Sequence, residues 1–172
     1  MEFHTNLEAA EKDGSTPLHR ACSKGHEVIA RMLAVELHAN LEVQDNDGFT
    51  PLQLACNNCH EAIARMLAVE LHANLEVQDN NCMTPLYGAC IYGYEAIARL
   101  AVELQANLEV RDLKGRTPLH WACFRGHEAI ARMLAVKLHA NLEATDNDGM
   151  TPLHCACSQG HEALARMLAV EL

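Results

Sequence analysis

Positive charge is scarce in this chain. Thirteen Lys and Arg stand against 23 Asp and Glu in 172 residues, a formal net charge of −10 with a pI near 5.5. A module that grips a phosphate backbone carries an excess of Lys and Arg on one face, so no nucleic-acid partner is expected. Nowhere does an apolar run approach the roughly 18 residues of a membrane span, and the first residues lack a basic start followed by an apolar stretch. The expectation is a soluble chain with no membrane partner and nothing directing export. Equally absent are a Ser/His/Asp or Cys/His constellation, a Gly-rich phosphate loop and an HExxH pattern, so an enzyme reading has no residues to stand on and no cofactor is expected. What is abundant is apolar side chain, 49% of the residues, enough for the core of a single domain spanning residues 1–172.

Eight cysteines could suggest disulfides, but their placement argues otherwise. Cys22, Cys56, Cys90, Cys123 and Cys157 each follow an alanine and recur every 33 or 34 residues. Equivalent positions in stacked units lie roughly 10 Å apart, the spacing of packed helices, which is beyond the reach of a disulfide. A free thiol is a small hydrophobe that packs well, so these read as buried core cysteines in a reducing compartment, the cytoplasm or nucleus.

The same period governs everything else. Thr-Pro-Leu begins at Thr16, Thr50, Thr84, Thr117 and Thr151. Five units follow at about 11–44, 45–78, 79–111, 112–145 and 146–172, and residues 1–10 resemble the tail of a preceding unit: His4-Thr5-Asn6-Leu7-Glu8 matches His38-Ala39-Asn40-Leu41-Glu42. Within a unit a polar turn such as Asp45-Asn46-Asp47-Gly48 precedes Thr50, suited to an N-cap, and Pro51, suited to the first helical position. Leu18, Ala21 and Cys22 then lie on one stripe of a short helix that Gly25 ends. A second helix is predicted from about Glu27 to Leu37, with Ile29, Met32, Leu33 and Leu37 on one face and a Glu27/Arg31 pair at i,i+4 that every unit repeats. Neither helix can bury its stripe alone, so the units must stack.

Asp-x-x-Gly-x-Thr-Pro-Leu-His, then Ala, then Gly-His, five times in register over about residues 6–172, resembles the ankyrin repeat. The resemblance implies an all-α solenoid of stacked helix-turn-helix units joined by β-turns or short hairpins. It also implies a protein-binding scaffold whose turn tips and first helices form a concave binding surface, with the recurring histidines bridging turns and helices. Departures are concentrated. Units one, two and four have 34 residues where the family has 33, the extra residue lying within Ala30–His38 in unit one. Unit three lacks the Met found at Met32, Met66, Met133 and Met167, and carries Cys82 for the turn glycine and Tyr94 for the Gly-His histidine. Neither end shows an obviously polar capping repeat, which suggests a fragment of a longer array or an engineered one, with Met1-Glu2-Phe3 foreign to it.

Local patterns that hint at chemistry dissolve into the period. Cys56-Asn57-Asn58-Cys59-His60 matches a haem-attachment motif, yet Cys56 is a repeated core position, Cys59 replaces the interhelical glycine and His60 is the repeated histidine. Haem or metal binding through Cys56, Cys59 and His60 is therefore a remote alternative. Ten of the eleven histidines sit at three recurring positions, which speaks for a structural need in every unit.

Information about a partner must lie where the copies differ. The residue before each Thr-Pro reads Ser15, Phe49, Met83, Arg116, Met150. One side of the first helix reads Arg20/Ser23/Lys24, Leu54/Asn57/Asn58, Gly88/Ile91/Tyr92, Trp121/Phe124/Arg125 and Cys155/Ser158/Gln159. Trp, Tyr and Arg are the residues enriched in binding hot spots. The expected contact set is Phe49, Leu54, Met83, Ile91, Tyr92, Arg116, Trp121, Phe124, Arg125 and Met150. Arg111, Lys114, Arg116 and Arg125 cluster in an otherwise acidic chain, so the expected partner is a protein or peptide with an apolar centre and an acidic end, bound by a monomer. The competing reading is a recently duplicated or engineered array with no specific partner, favoured by the near-identity of the second helices.

Overall fold

The computed structural model describes residues 6–171, apart from the side chains of Lys137 and Glu171. His4-Thr5 of the expected tail, the Met1–Phe3 segment and Leu172 lie outside this range. Five helix pairs follow one another: α1 (Pro17–Lys24) and α2 (Glu27–Arg31), α3 (Pro51–Asn57) and α4 (Glu61–Arg65), α5 (Pro85–Tyr92) and α6 (Glu95–Glu103), α7 (Pro118–Arg125) and α8 (Glu128–Arg132), α9 (Pro152–Ser158) and α10 (Glu162–Arg166). No strand is present among the described residues.

The Thr-Pro start does what its chemistry requires. Thr16 stands at the N-cap in extended conformation with Pro17 behind it. Its backbone N–H donates to His19 Nδ1 at 3.1 Å, while the hydroxyl accepts from the His19 N–H. Because Nδ1 accepts, Nε2 carries the proton and donates to the Phe49 carbonyl of the next unit at 3.0 Å. The histidine is thus a cap and a bridge at once. Gln53 reproduces it, with Oε1 accepting from Thr50 N–H at 2.9 Å and Nε2 donating to Met83 O at 2.9 Å. A second histidine ties neighbours together at the other end of the first helix: His60, His127 and His161 reach back to the carbonyls of Ser23, Ile91 and Phe124. The turns join a ladder of their own, in which Asn46, Asn80 and Asn147 donate backbone and side-chain N–H to the preceding turn.

The second helix differs from the single α-helix expected over Glu27–Leu37. After Arg31 the winding loosens into a π-turn over Met32–Glu36, and the same happens at Met66–Glu70, Met133–Lys137 and Met167–Glu171. Unit three, which lacks the methionine, runs as unbroken α-helix through Glu95–Glu103. The thirty-fourth residue of a unit is therefore absorbed inside the helix, by an i→i+5 bulge, and the loop that follows keeps its length.

The core is a continuous strip of Leu, Ile, Ala and Cys from both helices of every unit. Cys22, Cys56, Cys90 and Cys123 are buried in it as expected. Cys157 is not: among the described residues no unit stacks over that side of α9, so it is exposed, while Cys155 is buried. All eight thiols are free. The repeated i,i+4 pair forms at Glu61/Arg65, Glu128/Arg132 and Glu162/Arg166, at 3.1 to 3.8 Å. Arg31 instead crosses to Glu70 of unit two at 3.1 Å, and Arg99 has no ion pair among the described residues. These charges are exposed and screened by solvent, so the exchange of partners costs little.

Candidate functional site

The variable positions gather on the side formed by the turns and first helices, in two clusters. Phe49, Met83, Ile91 and Tyr92 surround a cavity between units two and three. Arg116, Trp121, Phe124 and Arg125 form a second group in unit four. Tyr92 is 55% exposed. Phe49, Leu54, Met83, Ile91, Trp121, Phe124 and Met150 are half-buried, and Arg125 is exposed. Leu54 lies outside both groups. Met150 packs against the core and offers its carbonyl to His120.

The unit-four cluster is a stack built on charge. The Trp121 and Phe124 rings meet edge to face at 5.8 Å, and the Arg116 guanidinium lies 5.2 Å from each ring centre. Trp121 Nε1–H donates to Asp112 Oδ2 at 2.8 Å, and Arg116 Nε–H donates to Asp146 Oδ2 of unit five at 3.2 Å. The Arg116 and Asp146 side chains are only 11% and 1% exposed. Arg111 is engaged too, donating to the carbonyls of Gly115 and Thr145. Two of the four cations expected to attract an acidic partner are therefore already paired or bonded within the protein, which leaves Lys114 and Arg125. The sequence could not reveal this, because Arg116 and Asp146 stand 30 residues apart.

The cavity between units two and three has the opposite character. Asp45, Asp79, Asp112 and Asp146 each use Oδ1 to accept two backbone N–H groups; for Asp79 these come from Asn81 and Met83 at 2.7 and 3.0 Å. Oδ2 is served by Trp121 at Asp112 and by Arg116 at Asp146. The corresponding places around Asp79 hold Gly88 and Phe49, which have nothing to donate, and no described residue donates to its Oδ2. The Asn57 side chain takes the place where a Cβ of Gly88 would stand, and a cavity of about 220 Å³ remains beside it, lined by Asp79, Thr84, Gln53, Asn57, Asn81, Tyr87 and the apolar residues named above. Burial pushes the Asp79 carboxyl above its ordinary value, against the pull of the Met83 and Asn81 N–H groups, and the carboxylates of Asp45 and Asp47 push the same way. Asp146 is also raised by burial, but the Met150 N–H, the Arg116 guanidinium and the Asp148 N–H outweigh this and hold it below.

Thr84 completes the cavity. Tyr87 stands where other units have His or Gln, and a tyrosine has no acceptor near the cap. Its hydroxyl reaches past, to the carbonyls of Val110 and Arg116 at 2.6 and 2.7 Å, and its backbone N–H bonds to Thr84 O. The Thr84 hydroxyl is left as the single buried side-chain polar atom without a partner among the described residues. The sequence marks Gly88 as a varying position, but the part played by Asp79 and Thr84 rests on a missing neighbour, which no local pattern signals.

A family model described as ankyrin repeats, three copies, matches residues 2–79, 68–146 and 110–171. The chain belongs to the ankyrin-repeat family. A comparison with curated proteins gives no match. Ankyrin repeats are in general protein–protein interaction modules.

The other features of this ankyrin array do not compete as sites. A larger cavity of about 560 Å³ lies between α6 and α8, where the unbroken second helix of unit three runs beside the π-wound one of unit four. Glu95, Arg99 and Arg132 in its wall are positions that every unit copies, so it distinguishes little. Cys56 is buried, with its thiol pushed up to about 12 by burial, while Cys59 is exposed and His60 bonds to Ser23 O. The three do not converge. Among the described residues no group of three His, Cys, Asp or Glu side chains is placed to hold a metal, and no helix is long and apolar enough to cross a membrane.

Proposed function

We propose that the chain is a non-catalytic interaction module that binds a protein or peptide across the turn tips and first helices of units two to four. A single observation carries this reading. In a framework whose second helices are nearly verbatim copies, the side chains that differ collect on one face, as an apolar-walled cavity beside Tyr92 and as an aromatic–arginine stack in unit four. Exposed Tyr and Arg next to half-buried aromatics have the composition of a binding hot spot. The partner's centre is apolar, and Lys114 and Arg125 remain to meet an acidic end. Eight unpaired thiols favour a reducing compartment, the cytoplasm or nucleus.

The test uses the exposed member of each cluster, so that the fold is spared. Partners captured from cell lysate by the wild type should bind Tyr92→Ala/Arg125→Ala at least about tenfold more weakly, a loss of about 1.4 kcal/mol. Helicity should be unchanged. Capture that survives this double change but is lost on substituting Arg99 and Glu103, in the other cavity, would move the interface to the second helices. Capture of nothing specific would favour a duplicated array without a partner.

A further inference from the structure

The unit-four stack shows what a turn aspartate of this array does with an arginine. Arg116 lies against two aromatic rings and bonds to Asp146 Oδ2, in the crevice between successive turns. At the junction of units two and three the carboxylate is kept as Asp79, 6% exposed, and the arginine is replaced by Phe49. The crevice there stays open. No Lys, Arg or His lines it, and the charges acting on Asp79 are the carboxylates of Asp45 and Asp47. Thr84 lies in the same wall, 3% exposed, with its hydroxyl unpartnered. Asp79 Oδ2 is thus an unused acceptor in a negative potential, flanked by Phe49, Met83, Ile91 and Tyr92, with the Asn57 amide in the same wall. A volume of about 220 Å³ falls below the roughly 300–1,000 Å³ of small-molecule pockets and suits one long side chain.

We propose that this cavity receives an arginine side chain of the partner protein, its guanidinium donating to Asp79 Oδ2 while its methylenes lie against Phe49 and Tyr92. A guanidinium, always charged and carrying its N–H donors in a flat fork, matches a carboxylate oxygen of this kind. The inference rests on the interaction reading above and adds the chemistry of the residue that enters. It places a cation of the partner at units two and three, away from Lys114 and Arg125.

The probe is N-acetyl-arginine methylamide, titrated into the isotopically labelled full chain and followed by backbone amide NMR, beside the neutral isostere N-acetyl-citrulline methylamide. Saturable shifts are expected at Asp79, Asn81, Thr84 and Gly88 with a midpoint on the order of millimolar, as befits a single side chain. They should be at least fivefold weaker for citrulline and weaken as salt is raised. Asp79→Asn keeps the Oδ1 acceptor that the turn needs and should abolish the arginine response. Equal shifts from both probes, shifts retained in Asp79→Asn, or none at about 50 mM would overturn the proposal, and the probe pair decides even if the variant misfolds. A wild type that holds a protein partner through Tyr92 and Arg125 yet ignores arginine loses this inference alone. One that seats arginine but captures no partner loses the interaction reading instead.

Discussion

Thr50 and Thr84 occupy the same place in successive units, both almost fully buried, and they differ in what the third residue after them offers. At Thr50 the hydroxyl accepts from the Gln53 N–H at 3.3 Å and the Gln53 side chain returns a bond to the Thr50 N–H. At Thr84 the reciprocal arrangement is missing because Tyr87 spends its hydroxyl on Val110 and Arg116. A buried hydroxyl with no partner has lost its water without compensation, whereas one that caps a helix has replaced it. Thr50→Val should therefore cost about 1 kcal/mol, in the range of lost N-caps. Thr84→Val, nearly the same shape, should be neutral or stabilising by up to about 1 kcal/mol. Urea denaturation of the two variants checks this, and equal losses at both sites would mean that Thr84 does cap α5. The same absence of a neighbour separates Asp79 from Asp146. One sequence letter carries a raised carboxyl in unit three and a lowered one in unit five, according to whether an arginine reaches it.

Between elements, two departures in the middle of the array are matched to their neighbours. A Cβ added at Gly25 would lie 2.5 Å from the His60 ring of the following unit, and one at Gly126 as close to His161. The bridging histidine lies directly over the glycine, so only glycine fits beneath it. Cys59 stands at this position in unit two at φ 60°, and the unit after it has Tyr94 in place of the histidine. Tyr94 stacks on Tyr92 with ring centres 5.7 Å apart. The turn repeats the pattern: a Cβ added at Gly48 would lie 2.7 Å from the backbone nitrogen of Asn80, which donates to Asp47 O at 3.0 Å, whereas Cys82 is followed one unit on by Leu113, whose N–H reaches Asn81 O at a longer 3.3 Å. Tyr94→His in the wild type should therefore destabilise, because the incoming ring meets the Cys59 side chain. In a Cys59→Gly background it should stabilise, by restoring both the bridge to the preceding helix and an unstrained glycine. A double-mutant cycle should give a coupling of about 1 to 2 kcal/mol, and additivity would show that the two departures are unrelated.

Across the whole molecule, burial is set by the position of a unit in the array as much as by its residues, and this bounds what the sequence could disclose. The period, the caps at Thr16 and Thr50, the short first helices and the exposure of Tyr92 all follow from local pattern, and the structure has them. The fate of the thirty-fourth residue did not follow, since a π-turn and a longer loop leave the same letters around Met32. Nor did the pairing of Arg116 with Asp146, or the cavity over Gly88, each of which needs two units docked in register. The second helices show the principle best. Ile63, Ile97 and Ile130 are fully buried, yet Ile29 at the same position in unit one is 46% exposed, beside an almost wholly exposed Val28, because no described unit packs against that side. Stability in such an array is a sum of unit and interface terms, so the cost of a substitution tracks the number of interfaces it touches. Ile97→Ala, between two neighbours, should cost about 2 to 5 kcal/mol, and Ile29→Ala about 1 kcal/mol or less. Thermal or urea denaturation distinguishes them. Equal and large losses at both positions would mean that the outer face of unit one is covered in solution, and sedimentation of the wild type over a range of concentrations would then show whether a second copy of the chain does the covering.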